Sequence, residues 1–210
     1  QALANHAGAA LGRAVLVDRL RREAAEKQHL SLHDQLTGLP NRRYFHELLD
    51  AALDTARADG TGVAVMLIDL DRFKEINDAL GHDTGDALLR EVGRRLRDRV
   101  DGRGVVARLG GDEFAVLVPT DGAPESAVAA AADLGTMLEH AIRMDPLTLT
   151  ARSSIGVAAA PMHGDDPQTL LRHADVAMYA AKAGGKDRYE LFHPDMHEDM
   201  LQRLELEAEL

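Results

Sequence analysis

The chain has 210 residues, enough for one domain with its own core plus short flanks, and 45% apolar with 28% charged residues is an ordinary globular balance. It contains no cysteine, which excludes a disulfide framework and a thiolate metal site and fits a reducing cytoplasm. A formal net charge of -11 argues against a nucleic-acid backbone or an anionic membrane as partner, because both require a basic face.

Gln1 opens inside a helical pattern, as in a piece cut from a longer protein, and no signal-peptide pattern is present. Over 1–30, Leu3, Ala7, Ala10, Ala14 and Val17 follow alternating steps of four and three, a narrow seam for packing on another helix. We expect a helical, dimerising linker about 45 Å long; the alternative is an amphipathic helix packed on its own domain. A turn-rich loop follows at 34–41, then a helix over 42–59. The run 63–70 (VAVMLIDL) is nearly all apolar, as in a buried strand, and far too short to cross a bilayer. Helices are predicted over 74–80 and 83–100. Short strands at 105–109 and 114–118 flank Gly110 and Gly111, a hairpin signal. An Ala-rich helix is predicted over 123–142, a strand over 147–157, a helix over 167–183 and a last strand over 188–192. Strands alternating with helices around one hairpin give an α/β (α+β) sandwich, a central mixed sheet with surrounding helices.

Carboxylates stand where two core strands end. One group is Ile68-Asp69-Leu70-Asp71 and the other Gly110-Gly111-Asp112-Glu113-Phe114, whose glycines permit positive φ and close approach of a ligand to the backbone. If the strands are neighbours, Asp69 and Asp112 converge. Magnesium is commonly held by one or two carboxylates plus substrate phosphates. Acidic residues also decorate hairpins and strand ends generally, so neither group alone fixes a function.

Together, four segments fix a resemblance. Arg108 to Phe114 (RLGGDEF) resembles the signature of GGDEF-type diguanylate cyclases, and Asp34 to Arg42 (DQLTGLPNR) is similar to that family's opening motif. Asp69 to Asp86 (DLDRFKEINDALGHDTGD) is similar to its substrate-binding stretch, and Ala174 to Lys186 to its C-terminal helix and phosphate loop. The resemblance implies the nucleotidyl-cyclase palm fold over 31–193, and a cyclase joining two GTP into cyclic di-GMP. It implies magnesium, with manganese as a substitute, on Asp69, the Leu70 carbonyl and Asp112, with Glu113 as outer ligand or base near the 3′-hydroxyl. Phe73 and Lys74 would meet the terminal phosphates, Lys182 and Lys186 the β- and γ-phosphates, and Gly110 and Gly111 the substrate at the hairpin. Asn77 and Asp86 would read guanine with His82 close by.

Two positions depart from the family pattern. Lys186 replaces the usual Arg, keeping charge but losing the bidentate fork. Asp101-Gly102-Arg103-Gly104 stands where the inhibitory Arg-x-x-Asp is usual, so no product feedback is expected there. A product with two identical linkages requires a homodimer with one GTP on each domain. The first residues resemble the end of a GAF sensor domain, and 194–210 resembles a lead-in to an EAL phosphodiesterase domain or is a plain charged helix. A cytoplasmic location is expected, with no nucleic-acid partner and no membrane insertion. The alternative function is a catalytically silent GTP-binding module that regulates an attached EAL domain.

Overall fold

β1 (Gly62–Leu70) is the strand on which the rest assembles, because its side chains are apolar towards both faces. In the computed structural model, which describes residues 31–100, 102–144, 146–198 and residue 200, β1 lies at the centre of a five-stranded sheet. It pairs antiparallel with β3 (Glu113–Thr120) on one side and with β6 (Ser153–Ala160) on the other. β2 (Val105–Gly110) completes the hairpin with β3, and β7 (Arg188–Leu191) runs parallel to β6, so the order is β2-β3-β1-β6-β7. The sheet is mixed, as predicted.

Helices cover both faces. Ala64, Met66, Ile68 and Leu70 point into one core layer with α3 (His82–Val100) and α4 (Pro124–Glu139), which contribute Leu88, Val92, Leu96, Ala131 and Leu134. Val63, Val65 and Leu67 alternate into the other layer, against Phe45, Leu49 and Leu53 of α1 (Arg42–Asp59) and Leu170, Ala174 and Met178 of α5 (Pro167–Ala183). α1 begins where the Asn41 side chain accepts the Tyr44 N–H and ends at Gly60 with φ 68°, a left-handed cap that glycine supplies freely. The short α2 (Phe73–Leu80) follows β1 directly and sinks Phe73 into the α3 layer.

Two predicted boundaries are corrected. The Ala-rich helix stops at Glu139 rather than at 142, because Arg95 of α3 donates to the carbonyls of His140 (2.7 Å) and Ala141 (2.9 Å). The freed chain forms β4 (Ile142–Met144), with Ile142 fully buried. The predicted strand over 147–157 is two strands: β5 (Leu147–Leu149) closes a separate hairpin with β4, and the chain changes sheet before β6. The predicted linker helix over 1–30 and the tail beyond residue 200 lie outside the described residues. Among the described residues, no helix is long and apolar enough to cross a membrane.

α5 lies hard against β6. A Cβ at Gly156 would overlap the Ala174 carbonyl oxygen and the Met178 backbone nitrogen, neither of which can swing away. Gly156→Ala is expected to lower the unfolding free energy by about 1–3 kcal/mol in urea titration, with α5 displaced.

Beyond α5, Phe192 is buried against Val176 and Ala177, stacks on His173 and meets the His163 ring edge-on. The Ala159 N–H donates to His163 Nδ1 (2.9 Å), which fixes that nitrogen as the unprotonated one. Burial first, then the neighbouring His173 and His193, hold His163 below its ordinary value of 6.5. The unfolded chain therefore takes up this proton first, and stability falls as pH drops below the ordinary value. Thermal melts from about pH 7 to about pH 5 should show this slope, and His163→Gln should reduce it.

Candidate active site

Because β1 and β3 are antiparallel in fixed register, Asp69 lies directly opposite Glu113, with Ser154 of β6 on its other flank. Asp112 occupies the turn immediately before Glu113, and its carbonyl accepts the Leu70 N–H at 3.4 Å. The expected convergence of Asp69 and Asp112 therefore occurs at one end of the central strands. Lys182, in the last turn of α5, places its Nζ 2.6 Å from Asp69 Oδ2. Burial and then the charge of Asp69 raise the Asp112 pKa, partly offset by Lys182 and Arg108. Two carboxylates and one ammonium leave an excess negative charge in a half-buried corner, which favours a cation. Among the described residues, no three Asp, Glu or His side chains gather into a metal cluster. The donor set thus suits an ion that draws its remaining oxygens from phosphates and water.

The turn carrying Asp112 is held from outside the sheet. Gly110 and Gly111 take φ 143° and 53°, which lets the chain reverse. Arg108 donates through Nε (3.0 Å) and Nη2 (2.7 Å) to the Gly111 carbonyl. Its Nη1 bridges both oxygens of Asp34 (3.0 and 3.1 Å). Asp34 also accepts the backbone N–H and hydroxyl of Thr37, and the Arg108 N–H donates to the Pro40 carbonyl. Burial pushes the Asp34 carboxyl up, but the Thr37 and Arg108 bonds outweigh it and the net shift is downward. The opening loop is thus a strap across the hairpin. Glu113 pairs with Arg42 at 3.1 Å, in a cleft of about 430 Å³ that Arg172 and Asp175 also line. These pairings link segments far apart in sequence, and the charges alone did not reveal them.

Asn77 of α2 lies against Gly85 of α3, the residue before Asp86. A Cβ on Gly85 would overlap Asn77 Oδ1, so the bare glycine is what lets that amide in. Asn77 Oδ1 is shielded from solvent and accepts no hydrogen bond from the described residues. An orphaned acceptor of this kind costs about 1–3 kcal/mol, unless a ligand supplies the donor. Asp86 follows Gly85 and is half-buried, whereas His82 and Lys74 are exposed. Lys186 is exposed in the loop after α5 and lines a second cleft, of about 610 Å³, with Asp71, Arg72 and Arg152. A side chain on Gly104 would collide with the Leu117 carbonyl, so the chain at 102–104 closes against β3.

Residues 31–188 match the model of the diguanylate cyclase, GGDEF domain family. The chain is 44% identical to the diguanylate cyclase TpbB of Pseudomonas aeruginosa over 165 residues, covering 78% of this chain and 38% of that protein. It is 38% identical to the cyclic di-GMP phosphodiesterase PdeR of Escherichia coli over 190 residues, covering 90% of this chain and 28% of that protein. It therefore spans well under half the length of these relatives. A solved structure of the GGDEF domain of TpbB superimposes with a TM-score of 0.77 at 40% identity, covering 80% of this chain and 99% of that one. Fold and sequence together define a nucleotide-cyclase-like α/β domain. The chain belongs to the GGDEF domain family.

Arg108→Ala strips the Gly111 carbonyl and the Asp34 carboxylate of a charged donor in a poorly solvated place. A loss of about 2–3 kcal/mol in unfolding free energy is expected from urea titration.

Proposed function

We propose that this domain is a diguanylate cyclase, condensing two GTP into cyclic di-GMP and two pyrophosphates. One observation carries the reading: Asp69 and Asp112 share the end of the central strands with Lys182. Asp69, the Leu70 carbonyl and Asp112 would hold magnesium, or manganese in its place, through hard oxygen donors. When bound, the metal supplies polarisation of the phosphoryl oxygens and a lower pKa for the attacking hydroxyl. Lys182 and Lys186 grip the β- and γ-phosphates, and the Phe73 N–H and Lys74 in the first turn of α2 serve the terminal phosphate. Lys182 exchanges its Asp69 partner for phosphate oxygen as the nucleotide arrives. Gly110 and Gly111 admit the substrate close to the backbone. Glu113 accepts the 3′-hydroxyl proton or stands as an outer ligand, released from Arg42.

Guanine specificity follows from donor matching. Asp86 accepts from both N1–H and the exocyclic amine of guanine, and the orphaned Asn77 Oδ1 finds a donor, with His82 nearby. Adenine lacks that donor pair and leaves the half-buried Asp86 carboxylate and the shielded Asn77 oxygen poorly matched, at a cost of about 1–3 kcal/mol. The two identical linkages require two domains facing each other, each 3′-hydroxyl attacking the α-phosphorus of the opposite GTP as pyrophosphate leaves. Residues 1–30 raise the encounter frequency by dimerising. GTP as substrate puts the domain in the cytoplasm or on the cytoplasmic side of a membrane, and GAF and EAL neighbours fit relatives longer than this chain. No product feedback is expected at 101–104, where Gly104 packs against β3.

The similarity to PdeR, named as a phosphodiesterase, favours a second reading, a silent GTP-binding module controlling an attached EAL domain. Incubation with GTP and magnesium, followed by nucleotide separation, decides between them. Cyclic di-GMP should accumulate, and Asp112→Ala should reduce its rate by about a hundredfold or more. GTP binding without product would favour the silent module and overturn the cyclase.

A further inference from the structure

In Asp69-Leu70-Asp71 two carboxylates stand two residues apart where β1 ends, and by sequence either suits the same role. The hydrogen bonds separate them. Asp69 meets Lys182 beside Asp112, whereas Asp71 has both oxygens occupied by uncharged donors. Its Oδ1 accepts the Ser154 hydroxyl at 2.8 Å, its Oδ2 accepts the Asp187 backbone N–H at 2.9 Å, and its own N–H donates to the Arg152 carbonyl at 2.9 Å. We propose that Asp71 is a positioning residue, which fixes the Lys186 loop relative to the start of α2 and is not a metal ligand. The inference rests on the reading that a nucleoside triphosphate binds between these two pieces.

The loop needs such a tie. Lys186 and Asp187 take φ 64° and 52°, left-handed values that residues with a Cβ keep only when the surroundings over-determine them. Three bonds do so: the Lys186 N–H to the Ala181 carbonyl (3.0 Å), the Asp187 carboxylate to Arg152 (3.0 Å), and the Asp187 N–H to Asp71. Of these three only the last bonds directly to the segment that leads into α2 through Arg72 at φ 61°; the Arg152 pair reaches it indirectly, through the Arg152 carbonyl that accepts the Asp71 N–H. Arg72, Asp71 and Lys186 line the same cleft. The Asp71 side chain is thus the direct tie between the Lys186 loop and the segment that leads into the first turn of α2. Misplacing a phosphate grip weakens substrate capture far more than it alters bond making at the other end of the nucleotide.

Asparagine separates positioning from metal ligation. In Asp71→Asn the side-chain carbonyl still accepts the Asp187 N–H, and the amide donates to the Ser154 hydroxyl, which rotates to receive it. Only the charge is lost. Asp71→Ala loses both bonds.

The test compares GTP kinetics, magnesium dependence and binding of a GTP analogue with a non-scissile α–β linkage across wild type, Asp71→Ala and Asp71→Asn, each checked for its melting transition. Asp71→Ala should raise KM and the analogue Kd about tenfold or more, with kcat within about threefold and the magnesium midpoint unmoved. Asp71→Asn should stay within about threefold of wild type in each quantity. Should Asp71→Ala fail to fold, near-wild-type values in Asp71→Asn beside an inactive Asp69→Asn support the same assignment. Asp71→Asn losing activity and magnesium response would overturn the proposal, as would an Asp71→Ala that binds the analogue like wild type. A wild-type chain that binds no GTP analogue sinks the functional reading itself, a result distinguishable because it appears before any substitution is made.

Discussion

The antiparallel register between β1 and β3 is the constraint on which the site depends. It sets Asp69 against Glu113 and brings Asp112 to the Leu70 amide, so acidic groups more than forty positions apart in the chain share one corner. A slip of a single residue would send Asp69 to the opposite face, away from α5 and Lys182. Because both faces of β1 are apolar, polarity alone pins this register weakly. Shape and tethering pin it instead: Phe114 fills its place opposite Ile68, the β2–β3 ladder shifts between Arg108 and Gly110, and Arg108 clamps the turn.

An acidic protein holding an anionic substrate is a matter of local arrangement. The overall charge of -11 is spread over a surface where α3 carries a paired network, Arg94 and Arg95 on Glu91. The hydrogen bond from Arg94, opposed by burial and reinforced by Arg95, lowers the Glu91 carboxyl to about 2. Such half-exposed pairs contribute little net stability, and Arg95 matters more for drawing the chain out of α4. At the candidate site the balance differs: half-buried carboxylates with a single lysine between them, and further cations on the loop and helix start where phosphates belong.

Much of the fold is legible in the residues. β1 stands out as an unbroken apolar run because helices cover both its faces, and the glycine pair marks the hairpin because only positive φ closes that turn. Asn41 and Gly60 mark the ends of α1 through their capping chemistry. The segment 139–153 departs from its sequence pattern for an identifiable reason: Ile142 continues an apolar helical pattern, and the tertiary bonds from Arg95 that end the helix leave no local trace. Partner choice is equally hidden. Nothing near Asp34 names Arg108 as its partner, nothing near Glu113 names Arg42, and the two acidic residues of Asp69-Leu70-Asp71 are chemically identical until their donors are known.

The strap formed by the opening loop sets how the domain can be addressed mechanically. Residues 31–41 close on themselves, Asn41 reaching back to the carbonyls of Ser31 and Leu32, so the stretch moves as a unit. A charged grip on the hairpin passes from Asp34 through the Arg108 guanidinium to the peptide just before Asp112. The Pro40 carbonyl of the same stretch accepts the Arg108 N–H, so a displacement at residue 31 reaches β2 through the main chain and the peptide before Asp112 through the guanidinium. The hairpin tip and the strand that leads to it are therefore addressed together.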